Sequence, residues 1–222
     1  MNKQNFIIET REKYGDCFKD SAFRKRLKEK GTPQGFVEIF ETDEKGKIIQ
    51  LVGKSNLVVY YGRETVMSRS FNITNALLPS GATKDEYICW LGVGSGGCPV
   101  GDLLDPTSPA NTDTNLSYEI PINATDATCG DYRGGFYYKR PFDLVTYEQD
   151  TENDNSYLIT RIMSTITIFD CNGYNINEAG LFTAESGAGG YSGHFSLFAR
   201  ITFPTIVKTS SRQLVFIWYI YF

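Results

Sequence analysis

The sequence is poor in the residues that most metal centres and many hydrolytic sites use. Among its 222 residues it has a single histidine, His194, and five scattered cysteines with no Cys-x-x-Cys pair. Zinc sites combine closely spaced cysteine and histidine ligands, and a Ser-His-Asp arrangement needs an oriented imidazole. His194 lies in a glycine-rich stretch, which is poorly suited to holding a ring in place. We therefore predict buried thiols, no metal site and no catalytic histidine.

Long apolar runs are also missing. The longest, residues 214–222, is less than half of the roughly 20 residues that a membrane-spanning helix needs. Residues 1–10 lack the basic region and apolar run of a secretory signal. The formal net charge of -4 argues against nucleic-acid binding over the whole surface. The expectation is a soluble protein made in a cytoplasm, without a membrane partner.

Two patterns resemble ligand sites but lack the necessary context. Gly92, Gly94 and Gly97 have the spacing of a dinucleotide-binding loop, but prolines follow where a helix should begin. We interpret this stretch as a flexible or positive-φ loop. Residues 150–154 alternate acidic side chains as a calcium loop does, yet the glycine and final glutamate of such a loop are missing. We predict no cofactor and no enzymatic activity, with a carboxylate pair of a glycan-degrading enzyme as an open alternative.

Aromatic residues are abundant, with 14 tyrosines and 15 phenylalanines, and short apolar segments alternate with turn residues. This pattern predicts a mainly β chain, an antiparallel β-sandwich or open barrel with one inserted helix over residues 63–77. Residues 1–34 should form a helical arm before the β-sandwich domain of residues 35–222. Strands are expected at residues 36–40, 47–52, 56–61, 86–91, 116–120, within 130–139, and at 157–169, 176–182, 196–203 and 213–222.

Two C-terminal segments differ in the faces they present. Between residues 196 and 203, apolar residues alternate with Ser196, Arg200 and Thr202, which predicts a strand with one wet face. The final strand is apolar on both faces, so both faces should be packed against other parts of the chain or against another subunit. Its second face, with Tyr219 and Tyr221, should lie nearer an interface with another subunit. The chain itself should cover the first face, which consists of Leu214, Phe216, Trp218 and Ile220.

Glu178 and Arg200 are the charges of most interest. If the two strands around residues 176–182 and 196–203 form a hairpin, these side chains fall opposite each other or nearly so. A cross-strand ion pair is one interpretation, and two independent solvated charges are the other.

Three stretches together resemble a known group of proteins. They are residues 56–63, with the sequence Asn-Leu-Val-Val-Tyr-Tyr-Gly-Arg; residues 90–102 with 111–116, which hold a Val-Gly-Ser-Gly-Gly loop; and residues 176–182 with 197–203 and 218–220. This arrangement is similar to a broad set of tailed-bacteriophage virion proteins of the tail, neck or baseplate. The resemblance covers most of residues 56–222.

The resemblance implies assembly more than chemistry. We expect a virion component, assembled in the host cell cytoplasm, that forms a ring or trimer with its own copies and contacts other virion proteins. The 92–113 loop should become ordered over a neighbour on assembly. Interface residues are expected at Asp102 and Pro106, at Tyr219 and Tyr221, and at Arg24, Lys25 and Arg26, which could lie near DNA in the tail lumen. The alternative is a glycan- or receptor-binding β-sandwich whose sugar platform is Tyr132, Tyr137 and Tyr138.

Overall fold

The computed structural model describes residues 34–43, 45–71, 86–121, 137–150, 157–185 and 195–221. These residues form nine strands and one helix. In chain order the elements are β1 Gln34–Asp43, β2 Ile48–Val58, α1 Tyr60–Phe71, β3 Glu86–Gly94, β4 Lys139–Pro141, β5 Leu144–Asp150, β6 Tyr157–Ile166, β7 Asn175–Glu185, β8 Ser196–Val207 and β9 Arg212–Tyr221.

All nine strands belong to one sheet, in the order β4-β3-β7-β8-β2-β1-β9-β6-β5. Every pairing in it is antiparallel. The sheet curls into a half-barrel, as a strongly twisted sheet of many strands tends to do. The prediction of a mainly β, antiparallel chain with a helix is confirmed. The half-barrel is closer to the predicted open barrel than to the predicted sandwich.

A short connection shows how far the sheet curls. β4 and β5 stand at opposite ends of the strand order, yet only Phe142 and Asp143 separate them in the chain. The Asp143 amide donates to the Met163 carbonyl of β6 at 2.8 Å, and Ser164 Oγ donates to the Pro141 carbonyl of β4 at 3.3 Å. Because two residues span only about 7 Å when extended, the two ends of the sheet must approach each other here.

The concave face of the half-barrel holds the main core. Phe203 of β8 and Phe216 of β9 meet across it with ring centroids 6.2 Å apart, although two strands separate them in the sheet. β9 lies between β1 and β6. Its predicted covered face is confirmed: Leu214, Phe216, Trp218 and Ile220 all belong to this core.

Several predicted boundaries were wrong. α1 begins at Tyr60, because the two tyrosines that we assigned to a strand form its first turn; residues 72–77 lie outside the described part. β5 was not predicted, since its Thr-Tyr-Glu-Gln stretch has little apolar character. β6 ends at Ile166. The strand expected over residues 116–120 is reduced to a single bridge between Glu119 and Gly94.

The expected N-terminal arm, with Arg24, Lys25 and Arg26, lies outside the described residues. Gln34, which we placed in the arm, is the first residue of β1 and pairs with Tyr221.

Substitution of Phe216 tests how much this core contributes to the stability of the fold. The Phe216→Ala substitution empties a fully buried site, so we expect the free energy of unfolding to fall by about 3–5 kcal/mol. Val207→Ala, at a side chain that is 54% exposed, is the control and should change it by less than about 0.5 kcal/mol. Urea unfolding followed by tryptophan fluorescence measures both. Equal losses in the two variants would contradict the assigned core.

Candidate functional site

The convex side of β7 and β8 carries a buried ion pair. Arg200 Nε and Nη2 donate to Glu178 Oε2 at 3.1 and 2.6 Å. Glu178 pairs with Thr202 across the ladder and Arg200 pairs with Gly180, so the two charges are diagonal neighbours. Of the two interpretations that the sequence left open, the structure shows the cross-strand ion pair. Glu178 is 0% exposed and Arg200 is 7% exposed, so the predicted wet face of β8 was wrong.

The cover over this pair is the loop of residues 95–118, which we call the pinned loop. Both of its ends bind the Glu178 carboxylate. Oε1 accepts the amides of Gly96 at 3.0 Å and Tyr118 at 2.8 Å, and Oε2 accepts the Ser117 amide at 3.0 Å. One carboxylate therefore closes a loop of more than twenty residues by holding its two ends side by side.

The guanidinium of Arg200 fastens the same loop through a second set of contacts. Its Nη1 donates to Asp113 Oδ2 at 2.6 Å, and its Nη2 donates to Ser117 Oγ at 2.7 Å. Asp113 also accepts the Ala110 amide at 3.0 Å. Arg200 thus lies between two carboxylates, which offsets the cost of burying its charge.

The glycines that resembled a dinucleotide loop have a packing role here. A Cβ at Gly94 would lie 2.5 Å from Glu178 Oε1, and one at Gly97 would overlap the Asn177 carbonyl. The Gly97 amide donates to Asn177 Oδ1 at 2.7 Å. Our positive-φ interpretation was wrong for Gly92, Gly94 and Gly97 and right only for Gly101, at φ 93°. The glycines let the backbone lie directly against β7.

Three apolar side chains at the far end of the pinned loop face solvent. We call Val100, Leu103 and Leu104 the apolar tip; Val100 is fully exposed and Leu104 is 75% exposed. The Asp102 amide donates to the Pro99 carbonyl at 3.2 Å, which closes a turn with Gly101 at its third position.

Three further hydrogen bonds hold the backbone of the apolar tip. Asp102 Oδ1 accepts the amides of Leu104 and Asp105, each at 3.2 Å. The Leu103 carbonyl accepts the Thr205 amide of β8 at 2.8 Å. The loop that we expected to become ordered on assembly therefore has a defined hydrogen-bond pattern within the chain itself.

The predicted interface residues fall into separate places. Asp102 and Pro106 both lie in the pinned loop, with Asp102 exposed and Pro106 half-buried. Tyr219 is buried, and its hydroxyl donates to Glu38 Oε2 at 2.7 Å, so it does not lie at the surface where we expected an interface. Tyr221 is half-buried.

The tyrosines of the alternative sugar platform do not form an exposed surface in the described residues. Tyr138 packs into the main core. Tyr137 is half-buried, with the Lys139 ammonium 5.8 Å from its ring centroid. Tyr132 lies outside the described residues.

A second buried ion pair lies next to these aromatic residues, and we did not predict it from the sequence. Lys139 of β4 binds Glu119, and both side chains are only 1% exposed. The Lys139 ammonium lies 4.3 Å from the centroid of the Phe182 ring, within the range of a cation–π contact. No short-range pattern pointed to this pair, because twenty residues separate its members in the chain.

A third polar cluster closes one end of the core, around the turn between β6 and β7. Lys208 is buried and donates to Asn172 Oδ1 at 3.0 Å and to the Thr209 carbonyl at 2.9 Å. Its burial lowers the pKa of the ammonium group below its ordinary value. Cys171 adopts a φ of 55°, and burial, reinforced by the charge of Asp170, raises the pKa of its thiol to about 12.

Within the described residues, no group of three or more histidine, cysteine, aspartate or glutamate side chains is arranged to hold a metal ion. None of the helical residues described is part of a helix long and apolar enough to cross a membrane. No protein-family model, curated protein or solved structure matches the chain.

Glu178→Gln is the direct test of the pinned loop. The amide keeps the shape of the side chain but leaves the Arg200 charge less well compensated, so we expect about 3–5 kcal/mol of destabilisation. Asp102→Asn is the matched control, because its carboxylate is exposed and should cost less than about 1 kcal/mol. Urea unfolding compares them. A Glu178→Gln protein as stable as the control would contradict the structural role of the pair.

The thiol of Cys171 should make the protein less stable as the pH becomes alkaline. Between its ordinary value of 9.0 and about 12, the folded chain keeps a proton that the unfolded chain loses. The free energy of unfolding should therefore fall as pH rises through this window. Cys171→Ala should make the decline shallower, measured by urea unfolding between about pH 8 and about pH 11.

Lys208 should change the free energy of unfolding with pH in the opposite direction, and it serves as the comparison. Its folded pKa lies below 10.5, so the unfolded chain binds more protons in the window below that value, and this contribution to stability rises with pH. Lys208→Met should therefore make the alkaline decline steeper. A pH profile that neither substitution changes would show that these groups are not buried as described.

Proposed function

We propose that this chain is a non-enzymatic structural subunit of a tailed-phage virion, in the tail, neck or baseplate, which acts by protein–protein assembly. The virion is its final location, reached by assembly in the host cytoplasm. It binds further copies of itself, in a ring or trimer, and other virion proteins. In this proposal residues 1–33 form a helical arm before the β domain, with Arg24, Lys25 and Arg26 near DNA in the tail lumen.

The observation that carries the proposal is the apolar tip on the pinned loop. Val100 and Leu104 are held out in solvent by a backbone whose two ends share one buried carboxylate. Exposed apolar groups on a loop with a defined conformation are typical of residues that a partner buries. Binding through them costs less conformational entropy than binding through a loop that must first become ordered.

The charges around the apolar tip indicate the chemistry of its partner. Asp102 and Asp105 are the only charged residues between positions 99 and 106, and both are exposed. An apolar pocket with basic residues at its rim would bury Val100 and Leu104 while it met these carboxylates. The resemblance to virion proteins, which covers most of residues 56–222, supports a virion protein as the owner of this pocket.

The combined substitution Val100→Ser and Leu104→Ser tests this proposal. Both side chains are exposed, so stability should change by less than about 0.5 kcal/mol for each site. Particles assembled with this variant should contain at least about tenfold less of the chain, since about 1.4 kcal/mol of lost contact energy suffices for that. Quantitative mass spectrometry of purified particles measures it.

Ile49→Ser, on β2, is the control, because Ile49 is 49% exposed and lies outside the pinned loop. It should leave incorporation unchanged. Absence of the wild-type chain from purified particles would reject the virion role. Normal incorporation of the tip variant would reject the apolar tip as the contact while leaving the virion role intact.

A further inference from the structure

The outer edge of β5 has the properties of a strand-pairing surface. β5 pairs with β6 on one side, and no described residue pairs with its other side. Its sequence, Leu-Val-Thr-Tyr-Glu-Gln-Asp, contains no proline or lysine, two residues that commonly protect an edge strand from pairing. Within the described part of the chain, the outer side of this seven-residue strand therefore has no ladder partner.

Two apolar side chains of β5 lie on the same face of the sheet and are exposed. Val145 is 55% exposed and Tyr147 is 84% exposed. Val145 is opposite Ile162 in the ladder, and Ile162 belongs to the core on the concave face. Because side chains alternate between faces, Val145 and Tyr147 continue the apolar concave face beyond the last interior strand.

We propose that β5 pairs antiparallel with β5 of a second copy of this chain, about a two-fold axis at Thr146. In this register Val145 of each copy lies opposite Tyr147 of the other, which gives two equivalent apolar–aromatic pairs on one face. Leu144 falls opposite Glu148, so no two like charges meet. The strand is thus complementary to itself, as an isologous contact requires.

The opposite edge of the sheet offers a poorer partner for β5. β4 has only three residues and continues almost directly into β5. A head-to-tail β4–β5 contact would therefore form few ladder hydrogen bonds, whereas β5–β5 pairing about Thr146 uses five residues of each strand, from Leu144 to Glu148. The contact is two-fold and joins only two copies, so it is separate from the ring or trimer of the proposed function; it does not depend on location in a virion.

A cysteine at the proposed axis gives the most specific test. The side chains of opposed residues lie about 4.5–5.5 Å apart at Cβ, so purified Thr146→Cys should form a disulfide-linked dimer on mild oxidation. Mass spectrometry should identify a disulfide that joins position 146 of one copy to position 146 of the other. Ile49→Cys, at an exposed position on β2, is the control and should not dimerise through position 49.

A charge on the same edge tests the contact without a cross-link. Tyr147→Lys should raise the dissociation constant of the dimer by at least about tenfold in light scattering at rising concentration, while Ile49→Lys should not. Circular dichroism checks that both variants stay folded. A wild-type protein that remains monomeric, or one that forms trimers only, would overturn the proposal. So would a dimer that Tyr147→Lys leaves intact and that oxidation of the Thr146→Cys variant does not link.

These outcomes are separable from those of the virion proposal. A chain that dimerises through β5 but is absent from particles would retain the two-fold contact and lose the virion role. A chain that is present in particles, but whose Thr146→Cys variant forms no disulfide at position 146, would retain the virion role and lose the two-fold contact.

Discussion

The buried carboxylate of Glu178 is the constraint on which the pinned loop depends. It accepts three loop amides and two guanidinium hydrogens. A buried charge with this many donors is stable only while all of them stay in place. The glycines at 94, 96 and 97 follow from it, since the backbone must lie close against β7 to reach the carboxylate. The position of the apolar tip follows in turn, because both ends of the loop are held.

The curled sheet provides the support for this arrangement. β7 and β8 are joined to β1 and β9 through β2, so the ion pair is built on interior strands with both neighbours in place. The concave face is filled by the core, which leaves the convex face of β7 and β8 to carry the pinned loop. The half-barrel therefore keeps its apolar interior separate from the apolar tip, which the convex face carries.

Local sequence signals were sufficient for the first hairpin, and they left the ion pair open. The turn at Asp43 and Gly46 has an aspartate that accepts the Lys45 and Lys47 amides and a glycine at φ 77°, and both features are visible in the sequence. Strand counting placed Glu178 and Arg200 near each other but did not decide whether they form an ion pair. Their burial was not predicted, because the cover comes from residues about 60 to 90 positions away in the chain.

Other features depended on contacts that no short pattern records. Phe198 interrupts the alternation of apolar and polar residues in β8, and it was the one sequence signal that this strand has no simple solvent-facing side. It lies in the main core beside Ala199, at a place where the β7–β8 register shifts. Strand β5 is too polar to be recognised as a strand from the sequence, and its pairing with β6 defines it as one. The Lys139–Glu119 pair joins β4 to the residue that directly follows the pinned loop. Only the folded chain brings these two places together.

Hydrogen–deuterium exchange of the purified protein tests the central claim most directly. If the Glu178–Arg200 pair holds both ends of the pinned loop, the amides of Gly96, Gly97, Ser117 and Tyr118 should be protected to nearly the same extent as those of β7. The exposed amides at Val100 and Gly101 should exchange much faster. Rapid exchange at Gly96, Ser117 and Tyr118, at the rate of an unstructured peptide, would contradict the account.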